Sequence, residues 1–337
     1  APLKGFAQPV PLFHPQELVR TALRSKVTLV GRQTEREYFS DVLQDLLRGG
    51  EGGLIVLEGE AGIGKSRLVA DLLEKADAFR VPLLLGAGEA IEQDTPYYAW
   101  REVYASILGL NPGEETLSQR QNLLGLLAQN PDLYQLAPLL SAVLPFEIPD
   151  NELTAQMDGE VRSENTRELL TRLLQSSVVR GGKVLVLEDA HWLDSASWGL
   201  LLRVSQRVKP LQIVLVLRPL TTEKTPPEIN RLLKSTTAYH MQLENLPPED
   251  VLTLIAQRLG VTDLPPMVAD LILEKAEGNP FFSEELAYAL RDTGVLQINE
   301  GVCRLAPNVN SLTDLDLPDT IEGVITARID RLPPEPI

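Results

Sequence analysis

Cysteine is almost absent: Cys303 is the single one in 337 residues, so no disulfide can form within the chain. That usage fits a reducing cytoplasm, the compartment expected here. Aromatic residues make up only 5%, and no apolar run reaches the roughly 18 residues of a spanning helix. The first residues hold no basic stretch followed by an apolar core, so neither a secretory signal nor a membrane partner is expected. Positive charge is short as well: 31 Lys and Arg against 47 Asp and Glu leave a net charge of −16. A surface of that sign repels phosphate backbones, which argues against a nucleic-acid partner for this segment. It leaves room for a local basic pocket. Internal repeats and low-complexity tracts are missing too.

What is present is the balance of a globular protein, with 44% hydrophobic and 23% charged residues. Residues 1–26 carry four prolines and read as a strand remnant plus linker. A helix is expected at 33–48, closed by Gly49 and Gly50. Short apolar runs at 53–59, 81–90, 183–189, 211–219 and 238–246 read as buried strands. Residues 97–180 read as mostly helical. Apolar strands alternating with helices indicate an α/β fold, a parallel sheet with helices on both faces. After "LPPED" (246–250) the pattern changes to amphipathic helices at 249–260, 265–277 and 281–293, then a small hairpin at 295–306 and a last helix at 319–332. This predicts a P-loop nucleotide-binding domain at 27–246 and a smaller helical domain at 247–337, whose end reads as the start of a winged-helix region. "IDRLPPEPI" at the end follows directly on a helix and reads as the edge of a fragment.

"GEAGIGKS" (59–66) fits the template G-x-x-x-x-G-K-[ST], with Gly59, Gly64, Lys65 and Ser66 in the fixed places. It follows an apolar strand and opens a helix, as a phosphate-binding loop must. Glycines let backbone N–H groups turn inward around phosphate oxygens, and the helix directs its positive dipole end at the same anion. The nucleotide contacts assigned here are Gly59, Ala61, Gly62, Ile63, Gly64, Lys65, Ser66 and Arg67. Lys65 is expected to face solvent until phosphate arrives, and the Ser66 hydroxyl to ligate Mg²⁺. "VLVLEDAHWLD" (184–194) ends an apolar strand in Glu188 and Asp189. One carboxylate there would hold Mg²⁺ and a neighbouring one polarise the attacking water. The Mg²⁺ role falls to Asp189 or is shared with Glu188. His191 reads either as a helix cap or as a nucleotide sensor, and Trp192 as core.

Together these residues resemble the signal-transduction ATPases with numerous domains (STAND), a branch of the AAA+ and related P-loop ATPases. "VGRQTERE" (30–37) is similar to the opening motif of that family, whose backbone lies against adenine. The resemblance therefore assigns Val30, Gly31 and Arg32 to the base and leaves the Arg32 side chain an ordinary surface arginine. "LEDAHWLD" (187–194) resembles the family's acidic motif. "VLRP" (216–219) resembles its sensor strand, which implies that Arg218 meets the γ-phosphate. "AEGNPFFSEEL" (276–286) resembles the "GNP" motif, which implies that Pro280 packs on adenine. Tyr97, Tyr98 and Trp100 match a helix start of the family and read as core packing. The resemblance spans 27–332.

The family implies ATP or ADP with Mg²⁺ as ligands. It also implies slow hydrolysis carried by Lys65, Glu188, Asp189 and Arg218, and a nucleotide-dependent homo-oligomer. Adenine rests on the resemblance, since no guanine-reading N-K-x-D motif occurs. "LKGFAQPVPLF" (3–13) resembles the last strand of a class III nucleotidyl cyclase domain, which implies an attached cyclase as the regulated partner. The switch of a transcriptional activator, with its DNA-binding domain elsewhere, and a non-hydrolysing ADP-bound scaffold are the alternatives. A small-molecule kinase would need an arginine-rich lid, and none is legible.

Overall fold

The five apolar runs pair as one parallel sheet. The computed structural model describes residues 29–307 apart from 112, 180, 221–225 and 236–237, together with 320, 323 and 326. The expected linker and cyclase-like strand at 1–26 lie outside the described residues, as does nearly all of the expected last helix.

Helix α1 (Gln33–Leu47) leads into β1 (Leu54–Glu58), the loop 59–64 and α2 (Lys65–Ala78). Strand β2 (Leu83–Ala87) is followed by a helical excursion: α3 (Arg101–Ile107), α4 (Thr116–Leu127), α5 (Pro131–Gln135), α6 (Glu152–Ala155) and α7 (Gly159–Val178). Then come β3 (Lys183–Glu188), α8 (Ser195–Arg207), β4 (Leu211–Leu217), α9 (Pro227–Leu233) and β5 (Ala238–Gln242). The order across the sheet is β2-β3-β4-β1-β5, with every neighbouring pair parallel.

Side chains alternate across this sheet with period two. Val56, Leu185, Leu187, Ile213 and Leu215 face the helices of the excursion and α8, burying Trp100, Tyr104 and Trp198 with them. Ile55, Leu57, Val184, Val186, Val214 and Val216 face α1 and α2, against Phe39, Leu43 and Leu68. Burying each such side chain contributes about 1.5–3 kcal/mol. Both faces are covered, which is why the strands read as unbroken apolar runs. Strand β5 is an edge, largely exposed on one side, where Tyr239 stacks on Tyr38 at 4.2 Å between ring centroids.

The expected strand at 81–90 stops at Ala87, because Gly88 is pressed against the next connection; a Cβ there would lie 2.6 Å from the Asp189 carbonyl. The expected strand at 238–246 stops at Gln242, and the chain then crosses to the helices: the Leu246 N–H donates to the Gly278 carbonyl at 2.9 Å. Helices α10 (Pro248–Leu259), α11 (Pro266–Ala276) and α12 (Pro280–Asp292) and the antiparallel hairpin of β6 (Leu296–Asn299) and β7 (Val302–Leu305) follow. Each of the three helices carries proline in its first turn, where the missing N–H costs nothing. Their apolar faces make a third core, which Val30 joins from the start of the chain.

Candidate functional site

Strand β4 lies between β1 and β3, so the carboxyl ends of three strands meet at one edge of the sheet. That places the loop after β1, Arg218 after β4 and the acidic pair at the end of β3 side by side. Crevices at the carboxyl ends of parallel strands are where α/β sheets take ligands.

The loop turns on Gly62 and Gly64, at φ +77° and +100°, a region that favours glycine. Helix α2 starts at Lys65, so its first amides have no partner inside the helix. The Lys65 ammonium does not stand free in solvent, contrary to the expectation from sequence. Its Nζ donates to the carbonyls of Gly59 at 2.7 Å and Glu60 at 2.8 Å. The reason is its half-buried position, where an ammonium must find acceptors. Burial, then the charge of Arg218, lowers its pKa, with Asp189 and Glu60 opposing.

Two cavities run along this edge as one cleft. The first is walled mainly by apolar groups, including Leu29, Val30, Ile63, Leu246, Leu254 and Pro280. Arg32 also lines it. The second is lined by Ala61, Gly62, Lys65, Ser66, Asp189 and Arg218. Gly64, Arg67, Arg258, Pro280 and Glu284 belong to both. The fold thus brings together most of the residues singled out in the sequence. Gly31, Gly59 and Glu188 are not among the lining residues. Gly31, at φ +65°, is packed beside Asp250: a Cβ there would lie 2.3 Å from Oδ2.

Arg32 is not an ordinary surface arginine. Its guanidinium donates to the carbonyls of Ile63, in the loop, at 3.2 Å and of Glu244, on the crossing to the helices, at 2.5 Å. The side chain is 9% exposed. Burial lowers its pKa, and Glu35, Asp250 and Glu244 push it back up. One side chain therefore ties the phosphate loop to the start of the helical segment. Pro280 opens α12, and the cleft wall is built on that helix end.

Sequence reasoning missed Asn279, Phe281, Arg258 and Glu284. Asn279 Nδ2 donates to the Ala61 carbonyl at 3.0 Å, and the Phe281 N–H to the Gly62 carbonyl at 3.2 Å. Asn279 could have been found from "GNP", where it reads only as a turn residue. Arg258 and Glu284 sit at half-buried positions of amphipathic helices and carry no local signal.

Asp189 adopts the left-handed region, at φ 47°, and reaches the cleft. His191 makes no capping hydrogen bond: among the described residues both ring nitrogens are buried without a partner. Its Nδ1 lies 3.9 Å from Asp189 Oδ1, and its ring packs on Trp192, which is half-buried rather than in the core. Burial lowers the His191 pKa; Asp189 opposes this, and Arg218 and Lys65 add to it. The last acid of the motif is structural. Asp194 is buried, caps α8 through the Ser197 N–H at 2.9 Å and accepts from the Tyr97 N–H at 3.1 Å. Tyr97 and Trp100 are buried as expected, and Tyr98 is half-buried.

The donors Ser66 Oγ and Asp189 carboxylate line the same end of the cleft, an oxygen set that suits Mg²⁺, which binds through one or two carboxylates plus phosphate oxygens. Among the described residues no three His, Cys, Asp or Glu side chains cluster into an all-protein metal cage. No described helix is long and apolar enough to cross a membrane.

Known proteins share this sequence pattern. Adenylate cyclase type 10 of Oryctolagus cuniculus is 22% identical over 268 residues, covering 80% of this chain and 16% of that protein. The chain thus spans about a sixth of the length of that relative. Among solved structures, the Aeropyrum pernix ORC1 protein in complex with DNA aligns at a TM-score of 0.47, with 18% identity over 90% of this chain and 66% of the other. A STAND protein with a tetratricopeptide repeat sensor from Pyrococcus horikoshii aligns at 0.36, with 16% identity over 75% and 28%. Residues 248–304 match a domain of unknown function. Residues 28–216, more than half of the chain, match the AAA ATPase domain, and the chain belongs to that family.

Proposed function

We propose that this chain is the ATP- or ADP-binding switch of a larger signalling protein, with slow Mg²⁺-dependent hydrolysis. The observation that supports this reading is the cleft itself. One end is an inward-turned glycine loop with Lys65, the other is apolar, and the walls come from both sides of residue 246. The amides of 61–66 and the Lys65 ammonium would hold the phosphates, and Val30 and Pro280 would flank the base. Mg²⁺, when bound with the nucleotide, would neutralise phosphate charge, held by Ser66 and Asp189. Glu188 and Asp189 are the candidates to orient the attacking water, and Arg218 to meet the γ-phosphate.

The proposal includes two domains, 27–246 and 247–337, locked together by the nucleotide. A ligand moves such an equilibrium only by its differential affinity for the two states. ADP would hold a closed state, and ATP an open or oligomeric one. The similarity to adenylate cyclase type 10 supports a cyclase as the regulated partner, and the single cysteine fits the cytoplasm as the compartment. Denaturing the purified protein and identifying the nucleotide it releases tests the ligand. Small-angle scattering of apo, ADP and ATP-analogue states tests the switch, which fails if all three profiles coincide.

A further inference from the structure

The two ends of the cleft share a wall that the proposed chemistry has not yet used. Arg258 and Glu284 line both ends, with Arg67. A nucleotide is laid out as base, sugar and phosphate; of the residues common to both ends, Pro280 is assigned to the base and Gly64 and Arg67 to the phosphates, which leaves Arg258 and Glu284 for the sugar between them. Arg258 on α10 donates through Nε to Glu284 Oε1 on α12 at 2.8 Å, and the two side chains are only 15% and 17% exposed. Arg67, on α2, senses both charges. A carboxylate facing phosphates is repulsive unless cations offset it, and these two arginines do so. A carboxylate offers about four lone-pair sites, of which the Arg258 bond uses one. Hydroxyl groups are suitable donors for the others.

Resting on the nucleotide site proposed above, we infer that Glu284 accepts hydrogen bonds from the sugar hydroxyls, so that the cleft selects ribonucleotides over deoxyribonucleotides. Arg258 is a positioning residue whose hydrogen bond orients the Glu284 carboxylate. The selectivity has a stated origin: a half-buried acceptor that loses its hydroxyl donor, and is cut off from water by the bound nucleotide, is left unsatisfied on binding the deoxy compound.

Calorimetric titration of the full chain with ADP, 2′-deoxy-ADP and 3′-deoxy-ADP in Mg²⁺ tests it. ADP is expected to bind about tenfold more tightly than the analogue lacking the hydroxyl that faces Glu284. Glu284→Ala is expected to bring all three within about twofold of one another while keeping the wild-type affinity for that analogue. Equal binding of the three by the wild type overturns the inference and leaves the nucleotide site standing; this comparison decides even if the variant fails to fold. Equal weakening of all three in a folded Glu284→Ala overturns it too, since a merely structural pair behaves that way. Binding of none of them removes the site and the inference with it.

Discussion

Asn279 donates its side-chain amide to the carbonyl of Ala61 at 3.0 Å, across 218 positions of sequence. Its Oδ1 accepts from the Phe282 N–H at 3.1 Å and so caps α12 at the same time. The helical segment thereby grips the loop 59–64 through its backbone carbonyls.

The two roles of Asn279 separate by substitution. Asn279→Ala removes cap and grip and is expected to lower stability by about 1–2 kcal/mol. Asn279→Asp keeps an N-cap acceptor but loses the donor to Ala61, so it should cost less stability. Both should weaken ADP binding several-fold. Urea unfolding with calorimetry checks this; an unchanged ADP affinity in both variants would show that the grip does not shape the loop.

Lys65→Ala should cost about 100-fold or more in ADP affinity, because a charge-assisted contact to phosphate is lost. The fold should survive with a penalty of about 1 kcal/mol or less, since the bonds to Gly59 and Glu60 lie partly in solvent. Circular dichroism and calorimetry measure the two effects. Unchanged ADP binding would refute the assignment of the loop.

Arg32→Ala should destabilise by about 2–3 kcal/mol, the worth of two bonds from a buried guanidinium. Arg32→Lys should recover part of this, since both bonds leave the single nitrogen Nη2 and an ammonium also carries several donors. A ΔΔG near zero for Arg32→Ala in urea would mean that the tie between loop and crossing carries no load.

His191 gives a pH dependence. Its folded pKa is lowered below the ordinary value of 6.5, mainly by burial. The unfolded chain therefore binds the proton more readily, and stability contributed at this site is lost as pH falls through 6.5 towards the lower folded value. Relative to wild type, His191→Leu should gain stability on going from about pH 8 to about pH 5.5. A difference in urea midpoint that stays flat across that range would contradict it.

The legibility of this molecule follows a physical division. Strand cores such as Leu54–Glu58 and Leu211–Leu217 were readable because both faces are buried and every residue must be apolar. The loop was readable because its chemistry demands glycine and lysine at fixed spacing. Strand ends were not, since β2 and β5 stop where the chain is pulled onto Asp189 and Gly278 by contacts remote in sequence. Arg32 was misread for the same reason: its acceptors, Ile63 and Glu244, are backbone carbonyls, which leave no trace in residue type. The pairing of Arg258 with Glu284 exists only once α10 packs on α12.

Hydrogen–deuterium exchange of the full chain, with and without saturating Mg-ADP, tests the central claim most directly. The account predicts slowed exchange at once in 59–67 and in 279–284, the two sides of one cleft. Protection confined to the loop, or none at all under saturation, would contradict it.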